Sequence, residues 1–287
     1  MSDLFSNQTF KVYHANQLIK FNKENIDFIR FNLSKYLFSN YQHNGDLIAK
    51  YSSLGEIQSE IEIDAKSSNE IEIHSHTPFN FNYLSIKSPL FPRQLFIFLS
   101  KTNDPTTYST RILSRITNSS AVNNNGQSTI NQVILSMFSD LPGLEIPFIF
   151  KPGEINNIEQ IVNNIIRNFQ DKQSPLLNQD FHIVYGKDHH DINKNLRNII
   201  IKIPSTDLQT MIADGQQQSS IIDSINEFLY NNTKVNFAKL SIVKFSSGII
   251  NIAQEGRFKI LGEQLSQLGE STSQQAVWLL IESILTD

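Results

Sequence analysis

Apolar and polar positions alternate along this chain in two different rhythms, and the rhythms divide it into helices and strands. Between residues 14 and 40, Leu18, Phe21, Ile26, Ile29, Leu33 and Leu37 recur near helical spacing and predict one or two helices. The rhythm then shortens. Ile57, Ile61 and Ile63, followed by Ile71 and Ile73 alternating with Glu70, Glu72 and His74, predict half-buried strands joined by a turn at AKSSNE. FNFNYLSI continues the alternation through Phe79, Phe81 and Tyr83, and a mostly apolar run follows the two prolines of SPLFPRQLFIFLSK. Residues 101–128 hold one short apolar patch and end in a Ser/Asn/Gly-rich stretch, 118–128, that reads as a mobile loop.

Helical spacing returns at STINQVILSMFSDL, with Ser128 or Thr129 as N-cap and Pro-Gly beyond its end. LEIPFIFKPGE reads as a short extended segment. Ile158, Ile161, Val162, Ile165, Ile166 and Phe169 then place one apolar stripe on an amphipathic helix. FHIVYG and NIIIKIP read as strands, and QSSIIDSINEFLYNN as a further helix through Ile221, Ile222, Ile225, Phe228 and Leu229. KVNFAKLSIVKF alternates with one register slip, and the last helical segment carries Trp278. Strands and helices mix without regular βαβ repetition. The fold class expected is therefore α+β, with irregularly mixed helices and antiparallel strands in two lobes. The expected division is residues 1–122, ending in the Asn-rich loop, and 128–287.

Composition narrows the function. The chain has 287 residues, a formal net charge of −4, 18% charged residues and 20 phenylalanines. No basic block or Arg/Lys stripe offers a footprint for nucleic acid. With no cysteine, disulfides, thiolate metal sites and a cysteine nucleophile are excluded. The N-terminus lacks the basic start and apolar core of a signal peptide, and no apolar run approaches the roughly 20 residues of a spanning helix. A cytoplasmic protein without membrane insertion is the expectation.

Two histidine groups invite a metal. His74 and His76 share one face of a strand, and Asp188, His189, His190 and Asp191 follow one another in YGKDHHDIN. Adjacent strand residues point to opposite faces, so His189 and His190 do not converge easily on one ion. That cluster reads as a polar turn, and two histidines alone do not complete a catalytic site. No GxxxxGK[ST], GxGxxG or GxSxG motif occurs. No catalytic constellation, cofactor or metal is expected, and the metal-dependent hydrolase built on these histidines stands as an alternative.

Three stretches taken in order resemble TssG-type baseplate subunits of type VI secretion systems. The first carries Ser53, Leu54, Gly55, Ser59, Glu60 and Ile61; the second carries Ser88, Pro89, Leu90 and Pro92. The third closes the chain with Leu261, Gly262, Leu268, Gly269, Trp278 and Leu279. The family's Phe-Leu…Phe-His-Arg helix after the proline turn is missing. The resemblance implies a non-catalytic wedge subunit of a contractile injection baseplate. Its partners would be a second copy of itself, a larger TssF-like subunit, and the sheath- and spike-proximal proteins. It implies an interface at Ser88, Pro89, Leu90, Phe91, Pro92, Leu268, Gly269 and Trp278. A phage or virus tail or capsid protein is the other structural alternative.

Overall fold

A computed structural model describes residues 2–41, 51–67, 79–101, 110–117, 129–169, 179–186, 198–214, 220–268 and 270–285. The chain is α+β, with helices and antiparallel strands as the pattern predicts. It divides into two units. One spans the described residues from Lys11 to Pro152; the other joins the residues up to Phe10 to those from Gly153 onward.

The chain begins with a short helix, α1 (Ser2–Phe5), and a strand, β1 (Thr9–Ala15), whose first two residues belong to the C-terminal unit. The N-terminal unit continues with α2 (Lys23–Tyr41), α3 (Leu54–Ser59), β2 (Glu62–Ser67), β3 (Phe79–Ser88), β4 (Phe91–Lys101), β5 (Thr110–Arg115), α4 (Ile130–Met137) and β6 (Phe150–Pro152). Its strands lie in the order β2-β3-β4-β5-β1, with β6 on β1. The predicted helix over 14–40 starts later: His14 and Ala15 complete β1, and the helix begins at Lys23. The strand expected through Ile57 is a helix instead. Ser53 caps it, its hydroxyl accepting from the Glu56 amide, and Ile57 is buried beneath it.

Phe138, in a 3-10 turn after α4, centres the core of this unit. Its ring meets Phe96 edge to face at 5.2 Å, Phe98 at 5.4 Å and Phe148 at 6.4 Å. Such pairs add to area burial because the positive ring edge meets the negative face. α4 is fixed by a capping box, in which Thr129 accepts from the Gln132 amide and the Gln132 side chain accepts from the Thr129 amide. Beyond the turn, Gly143 takes φ +72°, the left-handed region glycine enters without steric cost.

The C-terminal unit holds α5 (Ile158–Phe169), β7 (Phe181–Gly186), β8 (Ile199–Ile203), α6 (Ser205–Asp214), α7 (Ile221–Thr233), β9 (Ser241–Ser246), β10 (Ile250–Ala253), β11 (Arg257–Ile260), α8 (Gly262–Leu265) and α9 (Glu270–Leu285). Its strands run β11-β10-β9-β7-β8, with antiparallel pairing from each strand to the next. α5 presents the predicted stripe: Ile158, Ile161, Val162, Ile165 and Ile166 are all buried. The register slip expected in KVNFAKLSIVKF is a 3-10 turn at Phe237–Lys239, which resets the chain before β9.

A candidate interaction surface on an open strand edge

β8 forms because NIIIKIP is rich in β-branched residues and stops at Pro204, which has no amide to donate to a ladder. It pairs with β7 from Phe181↔Ile203 to Tyr185↔Ile199. It lies at the end of the strand order, so among the described residues its other edge has no strand partner. Ile203 is buried on the same face as Ile199 and Ile201, whereas Ile200 points the other way and is 70% exposed. Three successive isoleucines would suit a strand covered on both faces. Here the middle one is bare, on an edge strand whose single charge is Lys202. Natural proteins blunt such edges with charges, prolines or short strands, because the unpaired amides and carbonyls template another strand.

The end of β8 is held rigidly. The Lys202 ammonium lies 2.8 Å from Asp180 Oδ2, and the Ser205 amide donates to Asp180 Oδ1 at 3.0 Å. The ammonium, then the amide at the start of α6, keep the Asp180 carboxyl below its ordinary pKa. Behind the sheet, Tyr185 donates to Asn226 Oδ1 on α7 at 2.9 Å, and burial pushes its phenol pKa up. Asn163 of α5 donates to Ser220 Oγ and accepts from the Ile222 amide, joining α5 to the start of α7. Glu159, on the same helix, has its carboxyl pKa raised by partial burial and then by Asp223. α7 also shows apolar surface: Phe228 and Tyr230 are about half exposed, with the Lys234 ammonium 5.8 Å from the Tyr230 ring centre.

The residues singled out from sequence are dispersed. Ser88 and Phe91 are paired across the tight β3–β4 turn, and Ser88 Oγ accepts from the Leu90 amide. Pro89 and Pro92 are exposed, Leu90 is half-buried and Phe91 is buried. Leu268 closes a 3-10 turn, and Gly269 lies outside the described residues. Trp278 is buried in the C-terminal unit against Phe5. His74, His76 and Asp188, His189, His190 and Asp191 also lie outside the described residues. Among the described residues, no three His, Asp or Glu side chains gather as a metal site would require.

Comparison with known proteins settles the kinship. The profile of a family described as centromere protein L matches residues 105–287. The chain belongs to the centromere protein L family. The match takes in the whole helix-and-sheet stretch from α5 to α9, and with it the open edge of β8. No curated protein matches the chain.

This overturns the resemblance to TssG-type baseplate subunits, and with it type VI secretion, bacterial virulence, the TssF-like subunit and the sheath and spike proteins as partners. The phage or virus structural protein and the metal-dependent hydrolase lose their support with it. The physical reason is visible in the elements. The Ser53–Ile61 motif holds a capped helix rather than the continuation of a strand, Leu268 ends a 3-10 turn, and Trp278 is a core residue, roles that many folds demand. The centromere protein L match instead covers 105–287 as a continuous stretch. Among the described residues, no helix is long and apolar enough to cross a membrane.

Proposed function

We propose that this chain is a structural, non-catalytic protein of the centromere, where it joins partner chains within the kinetochore. Membership of the centromere protein L family carries this reading. The family's association with the CENP-N complex makes a chain of that complex the first partner to test, and it supports a location at the centromere. The open edge of β8, with Ile200 bare beside it, supports strand addition as the mode of contact. Main-chain hydrogen bonds would supply affinity and the side chains on either face specificity.

The deciding experiment is to tag the protein in its native cells, image it against a centromeric marker, and identify the chains that co-purify. Centromeric foci and recovery of kinetochore chains are expected. Diffuse signal and purification of the chain alone would overturn the proposal.

A further inference from the structure

A second surface, in the N-terminal unit, is defined by charge. Arg93 on β4 and Arg115 on β5 project from the same face, because Phe96 pairs with Ser114 and the residues flanking that pair keep the register. Arg93 Nε donates to Ser85 Oγ at 2.9 Å, and Ser85 is buried, so one nitrogen anchors the guanidinium, and among the described residues its other two nitrogens make no hydrogen bond. Arg115 Nη1 donates to the Arg93 carbonyl at 3.5 Å, which brings the Arg115 guanidinium onto the backbone of Arg93. Among the described residues, neither is ion-paired with a carboxylate. On β2, Glu62 stands opposite Lys87, and Asp64 accepts from the Tyr83 hydroxyl.

Behind Arg115 the backbone is stiff. Asn131 of α4 donates to the Arg115 carbonyl at 3.0 Å and accepts from Ser114 Oγ at 2.8 Å, while Gln94 donates to Thr117 Oγ1 at 3.3 Å. Burial, and then the charge of Arg93, lower the Arg115 pKa, so the pair lies in mutual repulsion that an anion would relieve.

We propose that Arg93 and Arg115 form a site for the phosphoryl group of a phosphorylated serine or threonine on a partner protein. Two guanidiniums match a dianion. A phosphomonoester carries nearly two negative charges near neutral pH and three acceptor oxygens, enough to engage both forks at once. A carboxylate or a backbone phosphodiester carries one charge and leaves the pair half neutralised. The site lies outside the β8 edge and does not depend on it.

The test is a titration of the full chain, isotope-labelled at arginine, with inorganic phosphate at constant ionic strength, following the arginine Nε resonances. Saturable shifts at Arg93 and Arg115 are expected, with sulfate, also a dianion, acting similarly. Affinity should fall at pH values where phosphate becomes a monoanion. Arg93→Gln and Arg115→Gln, both on partly or fully exposed side chains, should each weaken binding by about tenfold or more. O-phosphoserine should bind where serine does not. Absence of saturable shifts, or an undiminished affinity read at the remaining arginine of each single variant, would overturn the site. Preference for a short DNA duplex over O-phosphoserine, lost in the same variants, would overturn the phosphoprotein assignment in favour of a nucleic-acid backbone.

Discussion

Trp278 packs edge to face on Phe5, with ring centroids 5.5 Å apart and planes at 70°, so the last helix of the chain is held by its first. Phe5 in turn leans on Phe10, and Phe10 stacks on Phe258 of β11 at 5.7 Å. All four rings are buried. Residues 2–10 thus act as a strap within the C-terminal unit, and the parallel bridge from Ser6 to Ile260 and the bond from the Asn7 amide to the Ile260 carbonyl fix its line.

Trp278→Ala and Phe5→Ala should therefore each cost about 3–5 kcal/mol in urea unfolding, the range for deleting a buried aromatic ring. A double-mutant cycle should return a coupling of about 0.5–1.5 kcal/mol for the pair. Since Trp278 is the sole tryptophan, its fluorescence reads the environment directly. Phe5→Ala should red-shift the emission by admitting water to the indole. Independent, fully additive costs would show that the rings do not support one another.

Asp180 makes a pH prediction. Its folded pKa is depressed, so the stabilisation it gives is present above the unfolded value of about 3.9 and is lost as pH falls through the lower folded value. Asp180→Asn keeps the shape but removes the charge that Lys202 and the start of α6 require. The variant should melt below the wild type near neutral pH, and the two melting curves should converge in acid below about pH 4. The comparison is a thermal melt at a series of pH values. A gap that persists at low pH would assign the effect to packing instead.

Local signals were legible where a short segment carried its own instruction. The stripe of α5 and the cap of α4 are written in the order of a few residues, and Thr129, one of the two expected N-caps, is the cap, in a box with Gln132. β1 was hidden because its buried residues Phe10 and Val12 are followed by half-buried Tyr13 and His14, and the apolar spacing beyond led into a helix pattern. Spacing alone does not reveal α3, because Ile57, Ile61 and Ile63 suit either period; the Ser53-Leu54-Gly55-Glu56 signature of a helix start is the cue that distinguishes them. The spacing reading passes over α6, of which Leu208 alone is fully buried among the described side chains. Ile200 was readable as part of a strand, yet its place at a sheet edge follows from the order of β11, β10, β9, β7 and β8, a long-range arrangement that no local rhythm encodes.

The capping box of α4 carries a measurable share of stability. Thr129→Ala leaves the Gln132 amide without its side-chain acceptor and should cost about 1 kcal/mol. Thr129→Ser keeps the oxygen and should be nearly neutral. Because α4 supplies Ile134 and Leu135 to the core around Phe138, hydrogen exchange should report the loss at that helix. A Thr129→Ala protein as stable as the wild type would show that water replaces the cap at no cost.

The open edge of β8 separates stability from function most cleanly. Ile200 is exposed, so Ile200→Lys removes little buried surface and should shift unfolding by no more than about 0.5 kcal/mol. The same lysine places a charge where an added strand would have to lie, the device by which natural edges resist pairing. Ile203→Ala does the opposite. It opens a cavity under a buried residue and should cost about 2–5 kcal/mol while leaving the exposed edge chemically unchanged. Partner capture from native cells should therefore be lost with Ile200→Lys at unchanged melting temperature. With Ile203→Ala it should be retained at temperatures where that variant is still folded. Capture that survives Ile200→Lys would move the partner surface away from β8, leaving the half-exposed Phe228 and Tyr230 of α7 as the next residues to replace.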